Sequence, residues 1–222
     1  MRSLPQRADT SRPKATAADG HRSSASNTDP MRGSTRGHET DGDVRDLVAI
    51  GNVRGAIQCL MQRHGAAVYR YCRTAVRDAA LADDVHQQVF IEAYRDLPRF
   101  AGHSPLRIWL FAIARHRVLD AVKRRRRAQA HIEQAEVADP ADPRPSVGES
   151  LDDRRLREAL IASLRELGED ALTAVLLRYQ QGFTFEEMAE ICGEKAGTLH
   201  ARVARALPQL RAGIESRLGA LS

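Results

Sequence analysis

Aromatic residues are scarce in this chain, at 5% with a single Trp. No window holds the roughly 18 consecutive apolar residues of a membrane-spanning helix, which excludes a transmembrane protein. Cysteine is nearly absent: Cys59, Cys72 and Cys192, with no Cys-x-x-Cys pair. That excludes a disulfide framework, argues against a structural zinc site and suits a reducing cytosol. Cys59 and Cys72 share one helical stretch but stand about 1,300° of rotation apart, so they face different ways and cannot share a metal. The eight His are scattered, and no His-Glu-x-x-His, Gly-rich phosphate loop or Gly-x-Ser-x-Gly occurs. These absences argue against an enzyme, and neither cofactor nor metal is expected. The N-terminus is basic but lacks an apolar core region, so it is not a secretory signal. Nowhere do apolar and polar residues alternate convincingly, which leaves an all-α fold.

What the chain has is charge, unevenly spread. It carries 222 residues and a formal net charge of +5. Residues 1–42 are net +2, and residues 43–127 hold 16 basic against 8 acidic side chains, net +8. Residues 128–153 reverse to net −6, and residues 154–222 are almost balanced at +1. A basic block, an acidic connector and a near-neutral block point to a nucleic-acid partner for the first. The competing reading is an Arg-rich surface that merely follows genome composition.

Composition also divides the chain. Residues 1–42 are rich in Ser, Thr, Gly, Asp and Arg and poor in large apolar side chains. They cannot bury enough surface to offset their ordering entropy, and a disordered tail is expected. From Asp43 the texture becomes helical. A short helix over Asp43–Ile50 precedes a long one carrying Val53, Ile57, Leu60, Met61, Val68, Tyr71, Cys72 and Ala75 at three- and four-residue spacing. A further helix from Leu81 to Leu97 presents Val85, Val89, Phe90, Ala93, Tyr94 and Leu97 inward. Pro98 to His103 reads as a loop. Ser104-Pro105 reads as an N-cap with proline at the first helical position. The helix it opens carries Trp109, Leu110, Ile113, Ala114 and Val122 and ends in Lys123 to Arg127. Four of the residues in 128–153 are Pro140, Pro143, Pro145 and Gly148, among seven acids, the texture of an extended linker. Beyond it come helices on Leu156, Leu160, Ile161, Leu164 and Leu167, and on Leu172, Val175, Leu176 and Tyr179. Thr184 to Glu187 is a capping box opening a short helix that stops at Gly193, and Thr198 starts the last helix.

Three constellations bear on chemistry. The first, Thr184 to Arg205, has the spacing of a helix-turn-helix, whose second helix enters the DNA major groove. Leu199, Val203 and Ala206 share its buried face, leaving His200, Arg202 and Arg205 for phosphates or bases. An ordinary helical hairpin with solvated Arg would look similar. The second is Trp109 to Arg127, where Arg115, His116, Arg117, Lys123 and Arg124 flank an apolar stripe near Phe100 and Phe111, suited to strand or duplex contact. Trp109 fits the core of this helix better than a base-stacking role, and cations at a helix C-terminus are favourable without DNA. The third is Asp83 to Phe90, acids and amides on an outward face. They could meet a basic partner or simply complement the helix dipole, and the residues alone do not choose.

In order, these stretches resemble the extracytoplasmic-function group of the sigma-70 family. Asp83 to Phe90 is similar to its Asp-(Leu/Val)-x-Gln-(Glu/Asp)-x-Phe signature. Arg107 to Arg117 is similar to Trp-Leu-x-x-Ile-Ala-Arg-Asn, and Phe183 to Ile191 with Gly197 to Arg202 resemble the C-terminal helix-turn-helix block. The resemblance covers about residues 43–127 and 154–218. It implies two small helical domains, region 2 over 43–127 and region 4 over 154–222, joined by a flexible acidic linker over 128–153 behind a disordered tail. It implies a cytoplasmic factor, nucleoid-associated when bound to polymerase, that directs core RNA polymerase to promoters without covalent chemistry.

The same resemblance implies site residues. Asp84, Gln87, Gln88 and Phe90 would dock on core polymerase through its β′ subunit, with β as a further contact. Arg99, Phe100 and His103 lie in the loop that would capture an unstacked −10 base, at a few kcal/mol of lost stacking. Arg107, Arg115, His116, Lys123 and Arg124 would hold −10 DNA. Lys195, Thr198, His200, Arg202 and Arg205 would meet the −35 element. An anti-sigma factor is a further partner the family offers. The acidic linker would thread the polymerase cleft. His116, His200 and Ala201 depart from the family's usual Asn, Lys and Ser, and Pro208 is expected to kink the last helix. The rival readings are a stand-alone helix-turn-helix regulator and an interaction module for an acidic protein. No sustained heptad seam supplies the dimer that such a regulator normally needs.

Overall fold

The fold, a computed structural model, describes residues 41–131 and 150–219. The expected disorder of residues 1–40 and the linker over 132–149 lie outside the described residues. The first helical group is α1 (Gly42–Ala49), α2 (Val53–Val76), α3 (Ala79–Asp96) and α4 (Leu106–His131), with a 3-10 turn at Leu97–Arg99. The second is α5 (Leu151–Glu166), α6 (Glu169–Val175), α7 (Phe185–Cys192) and α8 (Ala196–Gly219), with a π-helical turn at Leu176–Gln180. The described residues contain no strand.

Short polar side chains cap four of these helices, because the first backbone N–H groups of a helix lack partners within it. Asn52 accepts from Gly55 N–H at 3.0 Å, Asp78 from Leu81 N–H at 3.0 Å, and Ser150 from Asp153 N–H at 3.1 Å. The capping box is present in full. Glu187 N–H donates to Thr184 Oγ1 at 3.2 Å, and Thr184 N–H donates to the Glu187 carboxylate at 2.7 Å. Gly193, at φ 66°, then ends α7 in the left-handed region that favours glycine.

Several boundaries differ from the sequence expectation. Asp41 and Gly42 belong to the fold rather than to the tail. Asp41 is 2% exposed, and its Oδ2 accepts from Leu106 N–H at 2.8 Å. The N-cap of α4 is therefore supplied from 65 positions away and not by Ser104. Pro105 sits one place earlier than expected, its carbonyl taking the Trp109 N–H at 3.1 Å. Helix α4 runs four residues past Arg127, to His131. Helix α5 starts at Leu151, so Asp152 and Asp153 lie in its first turn, where they complement the dipole instead of extending a linker. Helix α8 begins at Ala196, before Thr198, and Pro208 does not end it. Pro208 and Ala204 are both exposed, so water can take the carbonyl that the proline leaves unbonded.

Leu60, Val68, Val89, Leu106 and Leu110 fill the first group, and Leu177, Met188, Leu199 and Val203 fill the second. The two groups share a core. Tyr71 of α2, Phe111 of α4 and Phe183 before α7 are each fully buried, and the Phe111 and Phe183 rings meet edge to face at 5.0 Å. Across the same seam Arg77 donates to the Leu164 and Leu167 carbonyls at 3.0 and 3.1 Å. These carbonyls lie at the C-terminus of α5, where a cation complements the dipole. Arg126 pairs with Glu169 at 3.0 Å, and Gln180 Nε2 donates to Thr74 Oγ1 at 3.0 Å.

Candidate nucleic-acid and polymerase interfaces

Helices α7 and α8 form the helix-turn-helix. Leu199, Val203, Ala206 and Leu210 are buried, as the stripe required. Thr198 and Leu199 N–H groups bond the Lys195 carbonyl at 2.9 and 3.2 Å, which sets the start of α8. Lys195, Thr198, His200 and Arg205 are exposed near that start. The His200 ring rests against Phe185, with centroids 5.0 Å apart. Arg205 Nε donates only to the Ala201 carbonyl of its own helix, at 3.2 Å. Arg202 differs from these. It is half-buried, and its guanidinium forks onto both oxygens of Glu194 at 3.0 and 2.7 Å. That bond, joined by the nearby Arg115, holds the Glu194 carboxyl below the usual range.

The basic residues of α4 do not form one surface. Arg107 and Arg115 both point at the second group. Arg107 donates to the Gln181 carbonyl and lies 3.9 Å over the Phe183 ring. The π-helical turn makes this possible: Gln181 N–H reaches back to Leu176 O at 3.0 Å, and Phe183 N–H to Leu177 O at 3.1 Å. The Gln181 carbonyl and the Phe183 ring thus face α4, while the Gln181 side chain reaches the Ala67 carbonyl of α2 at 3.4 Å. Arg115 pairs with Glu194 at 3.7 Å. Arg117 is bonded to Glu92. Arg124 lines a groove toward α3, while His116 and Lys123 are exposed.

In the loop before α4, Arg99 and His103 are exposed. Phe100 is half-buried against Trp109, with ring centroids 5.1 Å apart. Trp109 was expected in the core and instead sits half-buried at its margin. Val44, Val48, Leu97, Phe100, Gly102 and Leu106 line an open cavity of about 340 Å³ beside this loop. Gly102 turns the loop at φ 74°.

On α3, Asp84, Gln87 and Gln88 are exposed as expected. Phe90 is not: it is 4% exposed and packs on the His86 ring at 5.1 Å. The ridge continues through Ile91 and Tyr94, 52% and 51% exposed, which the sequence pattern left out or turned inward. The phase of Ala82, Val85, Val89 and Ala93 was the signal that could have found them, since it puts 91 and 94 opposite the core. Beside this ridge, Asp84, Gln87 and Gln88 share a groove of about 630 Å³ with Arg117, Arg124 and Arg125 of α4. Arg124 thus stands with Asp84, Gln87 and Gln88 and not with Arg107 and Arg115.

His64 of α2 lies near Arg107, Arg63 and Asp41. Burial first, then the Arg107 and Arg63 charges, push its pKa down to about 4, against a smaller opposing effect of Asp41. Its Nε2 is buried and finds no hydrogen-bond partner among the described residues. The unfolded chain protonates this imidazole near pH 6.5, whereas the folded chain resists down to about pH 4. Stability from this group is therefore full at neutral pH and falls as pH drops through that window. Allowing for partial exposure, the loss is on the order of 2 kcal/mol. Urea melts at pH 7 and about pH 4.5 check this: His64→Gln is expected to lose that part of the pH dependence, and an unchanged dependence would refute it. The Cys72 thiol is buried and pushed up to about 12, and burial also raises that of Cys192. Neither is an activated nucleophile. Among the described residues no group of three or more His, Cys, Asp or Glu is placed to hold a metal ion.

The described residues form an all-α protein that carries a helix-turn-helix in α7 and α8 and an acid-and-amide ridge on α3. Residues 60–128 match the family model of sigma-70 region 2, and residues 157–210 that of sigma-70 region 4. The chain is 30% identical to the RNA polymerase sigma factor CarQ of Myxococcus xanthus, over 70% of this chain and 87% of that one. It is 33% identical to the ECF RNA polymerase sigma factor SigC of Mycobacterium tuberculosis, over 75% and 87%. In fold it is similar to the sigma factor RpoE of Bartonella quintana, solved in complex with the anti-sigma factor NepR. That match has a TM-score of 0.62 and 24% identity over 70% of this chain and 94% of RpoE. The chain belongs to the sigma-70 family of RNA polymerase sigma factors, in its extracytoplasmic-function group. Its function is to direct RNA polymerase to promoters, and its role is not catalytic. No helix among the described residues is long and apolar enough to cross a membrane.

Proposed function

We propose that this chain binds core RNA polymerase directly through α3 and promoter DNA through two separate basic surfaces. The observation that carries the reading is the exposed ridge of Asp84, Gln87, Gln88, Ile91 and Tyr94 on the region 2 match, with exposed cations on a different element, the start of α8. An acidic, amide and apolar ridge fits a basic amphipathic helical surface on the β′ subunit, and the β subunit completes the docking. Phe90 supports this ridge from beneath and does not touch the partner. Arg99, Phe100 and His103, in the loop beside that cavity, receive the opened −10 strand. His116 and Lys123 hold its backbone, with Arg107 and Arg115 joining when they are free. Lys195, Thr198, His200, Arg202 and Arg205 meet the −35 duplex. The first helical group thus serves polymerase and the −10 element, and the second the −35 element. Such a factor works in the cytoplasm, on the nucleoid. An anti-sigma factor is a partner consistent with the fold it shares with the complexed RpoE.

The test is the double substitution Asp84→Ala, Gln87→Ala. Both side chains are exposed, so stability should change by less than about 0.5 kcal/mol. Affinity for core polymerase should fall about tenfold or more, with duplex binding intact. Unchanged core affinity would sink the docking assignment.

A further inference from the structure

Arg124 belongs to a basic run that the sequence resemblance gives to −10 DNA, yet the fold turns it elsewhere. It lines the groove between α3 and α4. Lys123, one residue earlier, stands about 100° away round the helix and does not line it. The α3 wall of the groove is acid and amide, from Asp84, Gln87 and Gln88. The α4 wall is basic, from Arg117, Arg124 and Arg125. Val85 and Ala121, 3% and 2% exposed, give the groove an aliphatic floor. The charges on the two walls do not neutralise one another. Arg117 is held by Glu92, and Arg125 lies 3.9 Å from Asp78, and neither acid lines the groove. Arg124 donates to the Asp120 carbonyl of its own helix at 3.3 Å and pairs with no carboxylate among the described residues. Asp84 pairs with no cation among them. The groove thus keeps an unpaired acid on one wall and an unpaired cation on the other.

We propose that this groove seats a helix of the polymerase β′ subunit and that Arg124 is a polymerase contact, not a DNA contact. The proposal rests on the docking reading of Asp84 and Gln87 and extends it to a second wall. The occupant is one amphipathic helix. Its apolar stripe covers Val85 and Ala121, a base on one flank meets Asp84, and an acid on the other flank meets Arg124. A DNA strand fits the groove poorly, because its uniform negative charge would also face Asp84. Nor is a purely basic helix the best occupant, since it would face Arg124. The two walls also choose a direction. The same helix laid in reverse would swap its flanks and set base against Arg124 and acid against Asp84, a repulsion on both sides. The α3 ridge alone makes no such choice.

The experiment compares Arg124→Ala with Lys123→Ala in the full-length protein. Both residues are exposed, so each variant removes one cation from the same turn of α4 and only the direction differs. Two affinities are measured. One is for core polymerase without DNA. The other is that of polymerase already saturated with each variant for a duplex with an opened −10 segment. Arg124→Ala is expected to weaken core binding about tenfold and DNA binding by less than about twofold. Lys123→Ala is expected to spare core binding and to weaken DNA binding about threefold. Arg124→Lys keeps the charge and should bring core affinity back to within about threefold of wild type. A loss of DNA binding with unchanged core affinity in Arg124→Ala would return Arg124 to the −10 surface and overturn the proposal. Equal losses of core affinity in Arg124→Ala and Lys123→Ala would reduce the effect to net charge and overturn it too. So would a loss of core affinity that follows a lowered melting midpoint in Arg124→Ala and Arg124→Lys alike. The double variant Asp84→Ala, Gln87→Ala separates the two levels. Full core affinity there would overturn the docking reading itself. A loss there with none in Arg124→Ala would overturn only the second wall.

Discussion

Phe183→Ala is expected to cost about 3–5 kcal/mol, the largest loss of any single side chain at the seam. Three features add up here. The ring is 0% exposed, it meets Phe111 edge to face at 5.0 Å, and it carries the Arg107 guanidinium 3.9 Å above it. Truncation leaves a cavity between the two helical groups and strands a half-buried cation over it. Tyr71 and Phe111, both fully buried now, would gain access to water. Urea denaturation with helicity as the probe checks the magnitude. The transition should also broaden, because the groups would no longer melt as one. A loss under about 1 kcal/mol with an unchanged transition would mean that the shared core contributes little.

Reversing two charges at the start of α8, with Lys195→Glu and Arg205→Glu together, is expected to weaken duplex binding about a hundredfold or more at low salt. Each reversal frees one phosphate from its cation and adds a repulsion, so binding should also become less sensitive to salt. Both residues are exposed, and neither bonds across the seam, so the fold and core-polymerase affinity should hold. Arg202→Glu is a less clean test than its sequence position promises. It would break the fork on Glu194 as well as the proposed DNA contact, and its effect on affinity would mix the loss of that fork with repulsion. Titration of a −35 duplex at two salt concentrations separates the cases. A double variant that binds as wild type does would remove α8 as the DNA-reading element.

Local chemistry was legible from the residues. The capping box at Thr184, the stop at Gly193 and the buried stripe Leu199, Val203 and Ala206 each depend on neighbours within one or two turns. What could not be read depends on distance along the chain. Asp41 caps α4 from 65 positions away, and nothing in a Ser- and Gly-rich stretch marks one Asp as buried. Phe90 and Tyr94 both fit a loose apolar stripe, and only the packing of α2 and α4 shows that the first is inside and the second outside. Trp109 looked like core because its neighbours in sequence are, yet its own direction takes it to the loop with Phe100. The place of Glu194 between Arg115 and Arg202 was invisible for the same reason. Motif reading treats Arg115 and Arg202 as members of separate signatures, and the acid between the helices belongs to neither. Arg77 likewise reads as one more exposed cation until it is found on the carbonyls that end α5.

Direct binding to core polymerase is decided by competition. Purified full-length protein is added to bacterial core RNA polymerase in competition with the housekeeping sigma factor, and the bound complex is assayed for promoter-dependent transcript. The predicted result is mutually exclusive, stoichiometric binding that Asp84→Ala, Gln87→Ala weakens, with transcript appearing only when this chain occupies the enzyme. Duplex binding with no measurable affinity for core would contradict the account and return the chain to the stand-alone regulators.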